Sequence, residues 1–221
     1  MAAKPWIDAG LAQPVKWYKR LATAKGRTDA GAFIIEGVRH ITQVLAAAPE
    51  AVIEVISSHD EYPPGDYPRH RINEFQMAAI SQTRTPQGLL AVLKLPGNTG
   101  SQKLPESVGD RVLVLEGVQD PGNVGTLIRS AAALNFQGVI LTDRCADPFS
   151  PRCVQATAGT LLSVWLRRTA GYLALVQALK ERGYRLAAAV LDGEPDMSVL
   201  REPGLVLVMG NEAAGLSRGI K

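Results

Sequence analysis

The stretch from residue 111 to residue 141 constrains the fold most, because strand, loop and helix patterns follow one another within it. Residues 112–115 form an unbroken apolar run, which predicts a strand buried on both faces of a parallel sheet. Residues 116–124 are polar and contain Gly117, Pro121 and Gly122, which predicts a loop. Helical spacing then runs from Val124 to a stop at Asn135, and a second apolar run covers 139–141. The order predicts an α/β fold with a parallel sheet.

Two polar residues stand where a ligand of such a sheet would bind, outside the carboxyl end of the first strand. Asn123 is expected on the loop at or near the helix N-cap, and Arg129 within the first two helical turns. A cation so early in a helix opposes the helix macrodipole. The pattern leaves two interpretations open, namely a capped helix with a solvated arginine or a site for an external anion.

With 221 residues, the chain is long enough for two domains, and its hydrophobic content of 46% is enough to form their cores. The stretch 96–110 has two prolines, three glycines and almost no apolar periodicity, so we expect a linker there. Residues 1–95 then form a small α/β domain and residues 111–221 a second one. Gly26 to Ala32 is expected to be a loop, and a helix is expected from about Cys153 to Leu162.

Composition argues against several classes of protein. The apolar runs are far shorter than the roughly 20 residues that span a bilayer, and no hydrophobic signal segment follows Met1. Cys145 and Cys153 with three scattered histidines favour neither a disulfide framework nor a metal site, so no metal is expected. A cytoplasmic protein is the resulting expectation.

The N-terminal 39 residues carry seven lysines or arginines against three acids, although the whole chain has a net charge of only +3. Such a local excess can contact phosphates, although a solvated helix face is the commoner explanation of any single charge run. The candidates for phosphate contacts are Lys16, Lys19, Arg20, Lys25, Arg27 and Arg39.

Three ordered segments carry a resemblance to a known family. Asn123, Gly125 and Arg129 resemble the first motif of the SpoU (TrmH) family of RNA ribose 2′-O-methyltransferases, which belongs to the SPOUT class. The segment 205–217 is similar to the second motif, and 147–166 resembles the spacer between them. The N-terminal part resembles the RNA-binding substrate domain of SpoU relatives, whose fold is similar to ribosomal protein L30e.

The resemblance implies S-adenosyl-L-methionine as cofactor, RNA as substrate and a homodimer formed through the catalytic domain. It implies catalytic roles for Asn123, Arg129 and Glu212. Arg129 would hold the flanking phosphate and stabilise the developing 2′-alkoxide, because a guanidinium stays protonated. The implied cofactor-binding residues are Leu191, Gly210, Asn211, Gly215 and Leu216. The substrate-type N-terminal domain favours large-subunit ribosomal RNA, with transfer RNA as the alternative.

The family's third motif, which completes the cofactor pocket and a trefoil knot, is not found before Lys221. We therefore expect an incomplete knot and incompletely covered apolar surface around Val206 and Val208. A non-catalytic RNA-binding protein is the main alternative function. A dinucleotide-dependent oxidoreductase is disfavoured, because Gly117, Gly122 and Gly125 do not match the register of a dinucleotide-binding loop.

Overall fold

The computed structural model describes residues 10–60, 62–190, 198, 201–211 and 213–217. The chain divides into two compact units. The first comprises Met1–Pro96 together with Phe149–Leu162, and the second comprises Gly97–Pro148 and Ser163–Lys221. The predicted domains 1–95 and 111–221 placed all of Phe149–Leu162 in the second domain. In the structure this stretch packs within the first unit instead.

The first unit contains a four-stranded sheet. Its strands are β1 (Ala32–Glu36), β2 (Val52–Ser57), β3 (Arg69–Arg71) and β4 (Leu89–Lys94), in the order β1-β4-β2-β3. Only β2 and β3 are parallel, whereas β4 is antiparallel to both of its neighbours. The helices of this part are α1 (Val15–Arg20), α2 (Ala24–Ala30), α3 (Val38–Ala47) and α4 (Glu74–Ile80).

Apolar side chains from the helices and the sheet form the core of the first unit. Tyr18 of α1 and Leu90 of β4 are fully buried in it, together with Met77 and Ile80 of α4. A capping box fixes the start of α4, because the Asn73 side chain accepts from the Gln76 amide and the Gln76 side chain accepts from the Asn73 amide.

The prediction of a loop over Gly26 to Ala32 was wrong. Residues Ala24–Ala30 form α2, and the side chain of Thr23 caps it by accepting a hydrogen bond from the Gly26 amide. Gly26 lies inside this helix, and glycine is required there because a β carbon would come within 1.9 Å of the Arg20 carbonyl oxygen. Glycine therefore marks a close approach of two backbone segments at this position and does not mark a loop.

The second unit is built on a five-stranded sheet in which every pair of neighbours is parallel. Its strands are β5 (Arg111–Leu115), β6 (Gly138–Leu141), β7 (Trp165–Arg168), β8 (Arg185–Ala189) and β9 (Leu205–Met209), in the order β7-β6-β5-β9-β8. Helix α5 (Pro121–Ala133) follows β5, and α7 (Tyr172–Glu181) follows β7. The parallel α/β fold predicted from the sequence is confirmed.

The helix expected from Cys153 to Leu162 is shorter in the structure. Helix α6 covers Pro151–Ala156, and Ala158 and Gly159 then adopt positive φ angles of 51° and 89°. These left-handed conformations end the helix, because a residue with a positive φ angle cannot continue a right-handed helix. Packing of Phe149 against Phe33, with ring centroids 5.2 Å apart, anchors this stretch within the first unit.

The stretch expected to be a linker packs along β7 of the second unit. The Arg168 amide donates to the Thr99 carbonyl at 2.7 Å, and the Arg167 Nε donates to the Lys103 carbonyl at 2.7 Å. The indole of Trp165 donates to the Val108 carbonyl at 2.9 Å. These bonds tie the glycine- and proline-rich residues to the sheet, and so they are part of the second unit.

The expectation of uncovered surface around Val206 and Val208 was also wrong. Both side chains are buried, at 0% and 1% exposed, in a cluster that includes Leu175 and Leu179 of α7. Helix α7 thus supplies the cover for this face of β9. Within the described part of the chain, no helix is both long and apolar enough to cross a membrane.

Candidate functional site

A cavity of about 640 Å³ lies at the carboxyl edge of the parallel sheet in the second unit. Its walls come from the residues that follow β5, β6, β7 and β9. The lining residues are Glu116, Gly117, Gln119, Thr142, Asp143, Arg144, Ala170, Tyr172, Asn211, Ala214, Gly215, Leu216 and Ser217. This is the edge at which open α/β sheets bind their ligands, and the volume is in the range of roughly 300–1,000 Å³ of small-molecule sites.

Glu116, the first residue after β5, connects three parts of the cavity wall. One carboxylate oxygen accepts a hydrogen bond from the Tyr172 hydroxyl at the start of α7. The other accepts from the Ser217 amide at 2.8 Å. Burial opposes ionisation of this carboxyl, but the hydrogen bonds from Ser217 and Tyr172 outweigh burial, and the pKa of Glu116 lies below its ordinary value. Glu116 is therefore a fixed negative charge in the wall.

Gly117 follows Glu116 and forms hydrogen bonds through both its amide and its carbonyl group. Its amide donates to the Thr142 hydroxyl at 3.0 Å, and its carbonyl accepts from the Asn211 side-chain amide at 2.9 Å. The φ angle of Gly117 is 69°, a left-handed conformation that favours glycine. The loop after β5 is thereby joined to the loops after β6 and β9.

The loop after β6 is held by hydrogen bonds from the side chains of Arg168 and Cys145. The guanidinium of Arg168 donates to the carbonyl oxygens of Asp143 and Cys145, at 2.8 and 2.9 Å. The thiol of Cys145 donates to the Leu115 carbonyl at 3.2 Å. These bonds fix the backbone on either side of Arg144, an exposed cation in the cavity wall.

The segment after β9 contains most of the predicted cofactor-binding residues. Asn211, Gly215 and Leu216 line the cavity, and Leu216 is buried with 6% exposure. Gly210 packs directly against the backbone of these residues. A β carbon on Gly210 would come within 2.6 Å of the Gly215 carbonyl group. The predicted residue Leu191 lies outside the described residues.

The structure places Asn123 and Arg129 differently from the sequence-based expectation. Asp120 is the N-cap of α5 and its side chain accepts from the Asn123 amide at 3.0 Å, so Asn123 is the third residue of the helix. Arg129 is the ninth residue of the helix and lies in its third turn. Both side chains are exposed, and neither belongs to the described lining of the cavity. The third predicted catalytic residue, Glu212, lies outside the described residues.

The helix begins earlier than expected because Pro121 suits its first position. Proline lacks the amide hydrogen that would be unpaired there, and its φ angle is already helical. Arg129 is consequently too far from the helix N-terminus to oppose the macrodipole appreciably, since that effect is confined to the first turn.

Five of the six candidate RNA contacts in the first unit are exposed: Lys16, Lys19, Arg20, Lys25 and Arg39. Arg20 also forms an exposed ion pair with Asp29 at 3.0 Å. Arg27 is a correction, because it is only 3% exposed and donates to the Leu21 carbonyl at 2.9 Å. It therefore holds the turn between α1 and α2 and cannot contact RNA.

Sequence reasoning missed Glu116, Tyr172, Thr142 and Arg144 as parts of the cavity wall. Glu116 and Thr142 each follow an apolar strand directly, and this position is the signal that could have identified them. Tyr172 is separated from Glu116 by 56 residues, and nothing local in the sequence indicates their contact.

Comparison with known families agrees with this geometry. Residues 110–221 match the SpoU rRNA Methylase family, and residues 12–91 match the MRM3-like substrate binding domain. The chain belongs to the SpoU rRNA methylase family and carries an N-terminal substrate-binding domain. The family inferred from the sequence motifs is confirmed.

Individual relatives extend over almost the whole chain. The 23S rRNA (guanosine(2553)-2′-O)-methyltransferase RlmP of Bacillus subtilis is 30% identical over 97% of this chain and 85% of its own length. A structure of a protein assigned to the TrmH family of RNA methyltransferases, from Porphyromonas gingivalis, is 31% identical with a TM-score of 0.78, over 95% of this chain and 84% of that one. An AdoMet-bound rRNA methyltransferase from Sinorhizobium meliloti is 25% identical with a TM-score of 0.71, over 97% and 84% of the two chains.

Proposed function

We propose that this protein transfers a methyl group from S-adenosyl-L-methionine to a ribose 2′-hydroxyl of large-subunit ribosomal RNA. One observation carries the proposal: residues of the second motif line the same cavity as the loop that leads into the helix of the first motif. The second motif and the loop that precedes the first motif are far apart in the sequence, but both line the ligand-binding edge of one parallel sheet.

The residues of the cavity suit S-adenosyl-L-methionine, which the AdoMet-bound relative from Sinorhizobium meliloti contains. The backbone of Gly215 can approach a ligand closely because this cavity-lining residue has no side chain. Asn211, Gly215 and Leu216 would hold the cofactor, with Leu216 as an apolar surface. When bound, the cofactor supplies an activated methyl group on a sulfonium.

Arg129 and Asn123 would act on the RNA. Both are exposed on the first three turns of α5, which begins just after the cavity-lining Gln119. A guanidinium presents a planar fork that matches a phosphate, and its permanent charge would stabilise negative charge on the 2′-oxygen. Asn123 would orient the ribose or Arg129, and Glu212 would support either residue.

The first unit would bind the RNA away from the reacting ribose. Its exposed lysines and arginines on α1, α2 and α3 are suited to phosphate contacts, which carry little sequence information. The similarity to RlmP supports 23S-type ribosomal RNA as the substrate.

The proposal extends to a homodimer through the second unit, to the incomplete trefoil knot that the motif resemblance implies for that unit, and to a cytoplasmic location. The motif resemblance supports the dimer and the knot. Sedimentation of the purified protein over a range of concentrations tests the dimer, and a species that remains monomeric at all concentrations would contradict it.

Methyl transfer from radiolabelled S-adenosyl-L-methionine tests the function directly. Ribosomal RNA from cells that lack the gene should accept label, whereas RNA from normal cells should accept little because its site is already methylated. Mapping of 2′-O-methylated positions then identifies the nucleotide. Binding of RNA without any transfer would instead favour the non-catalytic alternative, and transfer to transfer RNA alone would overturn the proposed substrate.

A further inference from the structure

The segment from Asn211 to Ser217 is attached to the end of β5 at both of its own ends. At its start, the Asn211 side-chain amide donates to the Gly117 carbonyl at 2.9 Å. At its end, the Ser217 amide donates to the Glu116 carboxylate at 2.8 Å. Two consecutive residues after β5 therefore hold the first and last residues of this segment, which contains the cavity-lining Asn211, Gly215 and Leu216.

Between these attachments, the described residues of the segment also form hydrogen bonds with one another. The Asn211 side-chain oxygen accepts from the amides of Ala213 and Ala214, both at 2.9 Å. The Asn211 carbonyl accepts from the Gly215 amide at 2.9 Å. These bonds form a compact turn, which is placed against the sheet by the two end attachments and by the buried side chain of Leu216.

Tyr172 fixes Glu116 from the opposite side. Its hydroxyl donates to the carboxylate oxygen that does not accept from the Ser217 amide, so both oxygens of Glu116 accept hydrogen bonds. Hydrogen bonds to an ionised acceptor are stronger than those between neutral groups. The position of the segment after β9 is thereby tied through one carboxylate to the N-terminus of α7.

We propose that Glu116 is a positioning residue that sets the placement of the Asn211–Ser217 segment and, through it, the affinity for the cofactor. Tyr172 orients the carboxylate for this role. Only the consequence for cofactor affinity rests on the proposed function. The attachment itself is a property of the folded chain.

Hydrogen exchange tests the attachment without any reference to activity. In the full 221-residue chain, Glu116→Gln and Tyr172→Phe should each speed exchange of the Ser217 amide by about 10-fold or more, since a bond to a charged group is lost or weakened. Amides of β5 and β6 should keep their protection. Tyr184→Phe is the matched control, because it removes another tyrosine hydroxyl bond in the same unit, to the Gly109 carbonyl.

Unchanged exchange at Ser217 in both variants would overturn the attachment. General loss of protection across β5 and β6 would also overturn it, because Glu116 would then be a stability residue of the whole sheet. If Glu116→Gln unfolds the chain, the Tyr172→Phe variant alone decides the result.

Steady-state kinetics test the consequence. The KM for S-adenosyl-L-methionine should rise about 10-fold or more in Glu116→Gln, with kcat and the KM for RNA changed far less, as expected for loss of a binding contribution. Glu106→Gln, at an exposed position of the same unit, should have no effect. A fall in kcat alone would refute a positioning role. An inactive wild-type chain with the expected exchange pattern would refute the proposed function and leave the attachment standing.

Discussion

Gly210 faces the backbone of Gly215 so closely that there is no room for a side chain between them. A β carbon on Gly210 would lie 2.6 Å from the Gly215 carbonyl carbon and 2.8 Å from the Leu216 nitrogen. These are backbone atoms, which cannot move aside as the end of a flexible side chain can. The end of β9 and the turn that follows it therefore depend on glycine at position 210.

We expect Gly210→Ala to displace the turn after β9 and to lower the free energy of unfolding by about 1–3 kcal/mol, as overpacking typically does. Affinity for S-adenosyl-L-methionine should fall as well, because Gly215 and Leu216 line the cavity. Urea unfolding and calorimetry measure the two effects. Gly97→Ala is the control, since a β carbon on Gly97 would meet nothing within 4 Å. Equal behaviour of the two variants would contradict the steric argument.

Arg129→Ala should reduce methyl transfer by about 10²–10³-fold while the fold is unchanged, as is usual when one stabiliser of transition-state charge is removed. The side chain is exposed, so its loss leaves no cavity in the core. Arg129→Lys should restore the rate only in part, because lysine lacks the planar fork. Single-turnover rates with saturating RNA provide the measurement. A variant that keeps more than a tenth of the rate would exclude Arg129 from the mechanism, and Arg182→Ala, also exposed, is the control.

Replacing Lys16 and Lys19 together by alanine should weaken RNA binding and flatten its dependence on salt. Each lost phosphate contact lowers the slope of log K against log salt concentration by about 0.9 on duplex RNA and about 0.7 on single strands. Both lysines are exposed on α1. Filter binding at several salt concentrations gives the slope, with Lys180→Ala in the second unit as the control. A slope equal to that of the wild type would assign α1 another role.

The lowered pKa of Glu116 predicts a specific dependence of stability on pH. The folded chain favours the carboxylate, and so this contribution is present above the ordinary pKa of 4.5 and is lost as the pH falls through the lower pKa of the folded chain. Wild type should be more stable than Glu116→Gln near neutral pH, and the difference should shrink below pH 4.5. Urea midpoints of both proteins across the acidic range provide the test. A difference that stays constant with pH would contradict the charge argument.

Elements with a strong local pattern were predicted well from the sequence. The apolar runs 112–115 and 139–141 appear in the structure as β5 and β6, each of which begins one residue earlier than expected. Local signals were sufficient in these cases because the apolar pattern of each element and the residues that end the element are close together in the sequence.

The failures have a common physical cause, which is contact between residues that do not belong to the same element. Gly26 indicates a loop when only its neighbours in sequence are considered. Glycine is in fact required at this position because α2 packs closely against the backbone of Arg20. Arg27 resembles a surface cation until its bond to Leu21 is known. The same limit applies to the candidate site. Its motifs were recognisable in the sequence, but the contact of Glu116 with Ser217, 101 residues later, was not.

The assignment of Phe149–Leu162 to the first unit has a consequence for synthesis of the chain on the ribosome. The chain passes between the two units three times, near residues 96, 148 and 162. Domains generally fold as they are made, with the N-terminal one first. Here the first unit cannot complete its packing, including the contact of Phe33 with Phe149, until strands β5 and β6 of the second unit have already been translated. The nascent protein must therefore keep two unfinished units at once, and a division of the gene at residue 96 would leave the first unit without Phe149–Leu162.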